Sequence, residues 1–241
     1  ELRIEIEIPV IFEDPSILVV NKPAGALTIR DGYFPDKPYL VRQLTLQFGP
    51  LWTVHRLDKE TSGVLIFARS AEAHKRLNTQ FEVRSTTKRY HLLAYGDINW
   101  QLQEVDLPLK VDGDRRHRTI VDADNGKTAH TRFQVLESLN LSVCLLEARP
   151  KTGYTHQIRA HTSAIGLQII NDHLYKAQLN ITANVDGRNL PSHSFTFLPI
   201  NRIALHAYSL QITHPVTNEP VIFTAPYPKD FLESLLILRN Q

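Results

Sequence analysis

The sequence predicts an α+β protein with a mixed, largely antiparallel sheet and flanking helices. Two observations carry this. Short apolar, β-branched runs dominate the middle of the chain, and the predicted helices fall among them irregularly. That order excludes a simple doubly wound or barrel pattern, in which strands and helices alternate one for one. With 241 residues, 42% of them hydrophobic and 22% charged, the chain has ordinary globular usage and is long enough to bury a core without disulfide or metal staples. No internal repeat is visible.

Ile17-Leu18-Val19-Val20 is a β-branched run that ends at Asn21-Lys22-Pro23-Ala24-Gly25, so a strand delivers a turn. Pro38 to Phe48 carries an apolar stripe at Leu40, Val41, Leu44, Leu46 and Phe48 and is stopped by Gly49-Pro50, which predicts a short helix. Val64 to Ala68 is a fully apolar strand. Ser70 can cap a helix that begins at Ala71 and runs to about Val83, with its basic residues on the exposed side. Tyr90 to Tyr95 reads as a strand, and Thr131 to Leu136 with Leu141 to Ala148 reads as a hairpin around 137–140. A helix is expected after an N-cap at Thr155, running to Ala164 and ending at Gly166. Ile203 to Thr213 and Val221 to Thr224 are further strands, and Asp230 to Leu238 is a last helix. The polar stretch from Gln178 to Asn201 is the best candidate for a long surface excursion.

Several function classes recede on composition. Cys144 is the only cysteine, so neither an internal disulfide nor a thiolate zinc cluster can form, and its place in an apolar run marks it as a buried strand residue. No stretch approaches the roughly 18 apolar residues of a membrane span, and the first residues lack a signal-peptide layout; a cytoplasmic protein is expected. No methionine occurs, even at position 1, so this chain is expected to differ from the untouched translation product.

The net charge of +2 is only mildly basic, and local clustering says more. Arg69, Lys75, Arg76, Arg84, Lys88 and Arg89 face only Glu72 and Glu82 between positions 69 and 91, and Arg115, Arg116, His117 and Arg118 form a second group. Such patches suit phosphate contacts, although a solvated helix face and a charged loop would look the same.

Three segments concentrate chemistry-bearing side chains. His55-Arg56-Leu57-Asp58 leads through Thr61-Ser62-Gly63 into the apolar strand at Val64. An acid in such a loop beside arginine can be held partly desolvated yet charged, as a carboxylate nucleophile requires. A capped turn with a surface ion pair is the plain alternative. Gly153-Tyr154-Thr155-His156-Gln157-Ile158-Arg159 with His161 starts a predicted helix, where Gln157 and Arg159 would line a cleft at the sheet edge. His156 and His161 are five apart and no His-Glu-x-x-His occurs, which argues against a metal site. Lys88-Arg89-Tyr90 stands at a strand entrance, where a tyrosine ordinarily packs half-buried.

Taken in order, these segments resemble the RluA-like pseudouridine synthases. Asn21-Lys22-Pro23-Ala24-Gly25 is similar to that family's first motif, and His55-Arg56-Leu57-Asp58 with Thr61-Ser62-Gly63 to its catalytic motif. Lys88-Arg89-Tyr90 is similar to its Lys-x-Tyr, and Gly153 to His161 to its Gly-Arg-Thr-His-Gln-Ile-Arg-x-His. Leu205-His206-Ala207 with His214-Pro215 is similar to its closing segment. The resemblance covers about residues 10 to 225.

It implies one catalytic domain over 1–241 with a central active-site cleft, no cofactor, no metal, and an RNA partner, ribosomal or transfer, bound by a monomer. Asp58 would be the nucleophile, attacking the ribose anomeric carbon or the base, or would deprotonate the sugar. Tyr90 would pack on the target base and assist proton removal from C5, and Arg159 would pair with Asp58 to keep it ionised. Arg56 would enter the space left by the flipped base. His55, Lys88, Arg89, His156 and Gln157 would contact RNA. An RNA-binding or RNA-folding module with secondary catalysis is the alternative. Tyr154 departs from the motif's arginine, and Gln168-Ile169-Ile170-Asn171-Asp172 from its Pro-Ile-x-Gly-Asp. Residues before Val10 could not hold the small S4-type domain of many relatives; either this member lacks it or it lies upstream.

Overall fold

The computed structural model describes residues 7–32, 34–96, 98–139, 142–176, 182–185, 188–191 and 197–240. In chain order the elements are β1 (Val10–Glu13), β2 (Ile17–Lys22), α1 (Leu40–Phe48), β3 (Trp52–Thr53), β4 (Ser62–Ala68), α2 (Ala71–Glu82), β5 (Thr87–Tyr95), β6 (Leu102–Val105) and β7 (Leu109–Lys110). There follow β8 (Ile120–Val121), β9 (Thr131–Ser138), β10 (Val143–Pro150), α3 (Gln157–Ala164), β11 (Gln168–Ile169), β12 (Thr182–Val185), β13 (Arg188–Pro191), β14 (Leu205–Thr213), β15 (Pro220–Thr224) and α4 (Lys229–Asn240). The strands are largely antiparallel with helices beside them, the α+β class that the pattern predicts. The chain divides into two compact units, Glu1–Lys88 with His206–Tyr227, and Arg89–Leu205 with Pro228–Gln241.

In the first unit β2 lies antiparallel to β1 and to β4, with Val20 opposite Leu65. Both β2 and β4 are apolar on both faces, and Ile17, Leu18, Val19 and Val20 are all fully buried. They therefore form the middle of a covered sheet, as their unbroken hydrophobic runs imply. The helix α2 lays Ala73 and Leu77 on Ile17, Val19, Val64 and Ile66, together with Leu210 and Phe223. Its start is fixed by Ser70, whose Oγ accepts from the Ala73 N–H at 3.1 Å, the predicted cap. Truncating a fully buried leucine such as Leu77 costs about 2–5 kcal/mol.

Strand β14 runs parallel to β4 through His206 opposite Ser62 and Ala207 opposite Gly63. Gly63 is obligatory there. Its φ is +118°, and a Cβ on it would lie 2.2 Å from the Ala207 carbonyl oxygen.

In the second unit β5, β10, β9 and β6 follow one another antiparallel, with Leu92 opposite Leu146, Ala148 opposite Phe133, and Glu104 opposite Arg132. The short β11 adds to β5 at Tyr95 and Ala94. On α4, Phe231, Leu235 and Leu238 are buried. Cys144 sits in β10, buried, and burial pushes its thiol pKa up, as expected of an inert strand cysteine.

Four expectations need correction or completion. The N-cap of α3 is His156 rather than Thr155. His156 takes a left-handed φ of 56° and makes no side-chain cap bond, so the helix starts one residue later than expected. The arms of the β9–β10 hairpin each extend to their partner's end, so Glu137 and Ser138 belong to a strand rather than to the turn. Strands β1, β3, β6, β7, β8 and β11 were not anticipated, because runs of two to four mixed residues have no readable period. Of the expected excursion from Gln178 to Asn201, residues 178–181, 186–187 and 192–196 lie outside the described residues; within it the backbones of β12 and β13 pair antiparallel. Among the described residues no helix is long and apolar enough to cross a membrane.

Candidate active site

In the first unit Asp58 lies half-buried in the loop between β3 and β4, and the residues on either side of it are clamped. Before it, Leu57 is buried, and Thr28 closes a two-way link: its Oγ1 donates to the Leu57 carbonyl at 3.0 Å and accepts from the Leu57 N–H at 3.3 Å. After it, the Lys59 carbonyl accepts from the Gly25 N–H at 2.8 Å and from the Lys22 ammonium at 3.0 Å. The carbonyl of Asp58 itself accepts from the Thr61 N–H at 3.1 Å, forming the turn into β4.

Lys22 is fully buried, and its ammonium also donates to the carbonyls of Pro23 and Ala26, both at 2.8 Å. Three carbonyl acceptors match the three N–H donors of a lysine and offset the loss of water around the charge. The Asn-Lys-Pro-Ala-Gly turn therefore serves as a socket for the Asp58 loop. The start of β4 is seated by His206. Its Nε2 lies 3.1 Å from the Ala225 carbonyl, which can only accept, so Nε2 carries the proton and Nδ1 accepts from Ser62 Oγ at 2.9 Å.

His55 faces inward. Its Nε2 accepts from the Ile66 N–H at 3.2 Å, and its ring stacks on Phe81 with centroids 4.9 Å apart. Burial first, and the nearby Lys88 second, push its pKa down to about 3, so the ring is neutral at pH 7 and brings no charge to a phosphate. Arg56 is exposed. Lys88, at the start of β5, is half-buried, and burial with a contribution from Arg84 lowers its pKa to about 8.

In the second unit Arg89 and Tyr90 are half-buried on β5, with Tyr90 opposite Ala148 of β10. Arg159 projects from α3 and is only 6% exposed. Its Nε donates to Asp172 Oδ2 at 2.7 Å and its Nη2 to Asp172 Oδ1 at 2.8 Å, a bidentate pair. Asp172 is 1% exposed and also accepts from the N–H groups of Leu174 and Tyr175. The ring of Tyr175 covers the guanidinium at 4.8 Å.

Sequence reasoning missed Asp172 as part of the site, although the stretch Gln168 to Asp172 stood out against the family's Pro-Ile-x-Gly-Asp, whose acid Asp172 keeps. Asn171 adopts a left-handed φ of 61°, a conformation that asparagine tolerates where the motif has glycine.

Gln157 and His156, both expected to contact RNA, also make contacts within this unit. Gln157 is 3% exposed. Its Oε1 accepts from Thr152 Oγ1 and the Tyr154 N–H, and its Nε2 donates to the His130 carbonyl and Thr131 Oγ1. All four hydrogen-bonding positions of the amide are taken, so Gln157 ties the start of α3 to β9. His156 places Nδ1 3.1 Å from the Tyr175 hydroxyl, with its ring edge against that tyrosine. No group of three or more His, Cys, Asp or Glu side chains suited to a metal ion occurs among the described residues.

A family model for RNA pseudouridylate synthase matches residues 16–164, which include Asp58, Tyr90 and Arg159. The chain belongs to the RNA pseudouridylate synthase family. It is RluA-like: over 219 residues it is 34% identical to the dual-specificity RNA pseudouridine synthase RluA of Haemophilus influenzae, covering 90% of this chain and 91% of the relative. It is also 33% identical to the ribosomal large subunit pseudouridine synthase D of Pseudomonas aeruginosa, over 98% of this chain and 73% of that protein. Among solved structures, the human RNA pseudouridylate synthase domain containing 4 superposes with a TM-score of 0.74 at 26% identity, covering 95% of this chain and 92% of that one. Such synthases are isomerases that need no cofactor.

Proposed function

We propose that this synthase converts uridines in structured ribosomal or transfer RNA to pseudouridine with Asp58 as the nucleophile, and that Tyr90 and Arg159 complete the reacting set. The reaction is an isomerisation: the bond from ribose C1′ to uracil N1 breaks, a bond from C1′ to C5 forms, C5 gives up a proton and N1 gains one. No redox partner or activated donor is required, so an acid or base at a fixed place and a positioned counter-charge suffice.

The observation that carries the assignment is the clamping of Leu57 and Lys59 on both sides of Asp58. It holds one carboxylate on a rigid, partly dry loop while leaving it half-accessible to a substrate. In this reading Tyr90 packs on the target base and assists loss of the C5 proton. Arg159 is the cation that pairs with Asp58 and keeps it ionised, already oriented by Asp172 and Tyr175. Arg56, exposed two residues before Asp58, fills the space left by the flipped base, offsetting a few kcal/mol of lost stacking. Lys88 and Arg89 meet phosphates.

The catalytic domain is the whole 1–241 segment, acting as a cytoplasmic monomer without metal. The relatives' names support an RNA substrate and, for one, the large ribosomal subunit. The test is tritium release from RNA carrying uridine labelled at C5. The wild-type chain is expected to release it and Asp58→Asn to fall to background; release by Asp58→Asn at the wild-type rate would remove Asp58 from the mechanism. Equal rescue of a deletion strain by Asp58→Asn would favour an RNA-folding role.

A further inference from the structure

The loop joining β7 and β8 is locked from within. Asp114 Oδ1 accepts from the N–H groups of Arg116 and Arg118, at 2.9 and 3.0 Å, and its Oδ2 accepts from Arg118 Nε at 2.6 Å. The Gly113 N–H donates to the Arg118 carbonyl at 2.7 Å. Asp112 pairs with His117. Both loop carboxylates are thus committed to Arg118 and His117. Arg115 and Arg116 are exposed side by side, and among the described residues no ion pair engages either. Two exposed arginines, neighbours in sequence on one loop, add their positive charge, and a nearby anion is attracted to both.

The base of the same loop is fastened to the support of Arg159. The Thr119 N–H donates to the Tyr175 hydroxyl at 2.8 Å, Thr119 Oγ1 donates to the Thr155 carbonyl at 2.6 Å, and Arg118 Nη1 donates to the Leu174 carbonyl at 3.3 Å. Tyr175 is 5% exposed, its ring lies over the Arg159 guanidinium, and its N–H donates to Asp172 Oδ1 at 3.0 Å. One tyrosine therefore braces the basic loop with its hydroxyl and the catalytic-site arginine with its ring.

We infer that Arg115 and Arg116 grip the phosphate backbone of the substrate RNA, and that Tyr175 is the positioning residue that mounts this grip on Arg159. The inference rests on the pseudouridine synthase reading and adds to it a binding element and a positioning residue. The loop recognises a polyanionic strand without reading bases, since guanidinium groups on phosphates carry no sequence information. Tyr175 acts through Arg159 and touches no reacting atom.

The test uses the full chain and a structured RNA transcript that it modifies, with affinity measured by filter binding across salt and single-turnover rates measured at saturating RNA. The double variant R115A/R116A is expected to weaken binding about tenfold and to flatten the slope of log affinity against log salt by about 1.5, the counterions released by two phosphate contacts. Its loss in affinity should exceed its loss in rate at least fivefold. K229A, which removes an exposed charge elsewhere, should match the wild type in both. Y175F keeps the ring but loses the hydroxyl brace and should weaken binding several-fold. Y175L also uncovers Arg159 and should slow the single-turnover step at least tenfold, with the acid limb of its pH profile moved upward as Asp58 loses a well-placed counter-charge.

Wild-type affinity and salt slope in R115A/R116A, or a loss no larger than that of K229A, would overturn the grip. A folded Y175L with the wild-type pH profile would overturn the positioning role, and Y175F, which keeps the packed volume, guards against a folding failure in Y175L. If the wild-type chain forms no pseudouridine in any RNA, the enzymatic reading fails, whereas the binding measurements still decide the grip.

Discussion

The buried ammonium of Lys22 meets the carbonyl oxygen of Lys59 at 3.0 Å, one residue past Asp58. A buried charge thus holds main chain in place. Three carbonyls from two loops converge on it, so the turn after β2 and the loop before β4 move as one body. The position of Asp58 follows from that union.

Replacing Lys22 by Met keeps the buried length but takes the ammonium from the carbonyls of Pro23 and Ala26 and leaves that of Lys59 with the Gly25 N–H. We expect Lys22→Met to lose about 2–4 kcal/mol of stability, since each unsatisfied buried polar group costs about 1–3 kcal/mol and partial relaxation recovers some of it. Pseudouridine formation should fall more than RNA binding does. Urea unfolding and single-turnover assays check the two parts, and an unchanged midpoint would show that the clamp contributes nothing.

Asp172→Asn should destabilise the protein by about 3–5 kcal/mol, because it leaves the 6%-exposed Arg159 with a neutral partner in place of a bidentate carboxylate. Asp172→Ala combined with Arg159→Ala should cost less than the sum of the two single changes, as expected for partners in one buried pair. A double-mutant cycle followed by denaturant titration measures this, and strict additivity would contradict it.

His55 ties stability to acid. Its folded pKa is about 3, below the ordinary value of 6.5, so below pH 6.5 the unfolded chain binds a proton that the folded chain refuses. The stability it contributes is complete above pH 6.5 and is lost as pH falls from 6.5 towards 3. Denaturant titrations between pH 7 and pH 4 should show a steeper decline for the wild type than for His55→Gln, whose side chain cannot ionise. Parallel declines would show that the buried ring plays no part.

The proposed contact of Lys88 with phosphate predicts an RNA affinity that depends on alkali. With a pKa lowered to about 8, it begins to lose its charge within one unit of neutrality, and a bound phosphate favours the charged form. Affinity for RNA is therefore expected to drop as pH rises from 8 to 9.5. Lys88→Arg, which stays charged, should hold its affinity over that range. Filter binding at fixed ionic strength distinguishes the two curves.

The long apolar strands and the capped helices were legible because their signals are local. The run from Ile17 to Val20 and the Ser70 cap each state their own conformation, and the structure places them as read. The two-residue strands β7, β8 and β11 were not legible, since they exist only by pairing with distant partners. The same division runs through the candidate site. Asp58, Tyr90 and Arg159 were singled out in motifs, whereas Asp172 and Tyr175 were not and show their part only through contacts made 13 residues away and more.

By itself the order of residues determined the class of fold, the family, and which acid, tyrosine and arginine to single out, because periodicity, caps and motifs are properties of neighbouring positions. Only the folded chain decided that Lys22 grips carbonyls, that His55 is neutral, and that Gln157 spends its amide inside the protein. Those outcomes depend on burial and on donors and acceptors supplied by distant segments. The energy of a polar side chain is set by what surrounds it in three dimensions, and no stretch of sequence carries that information locally.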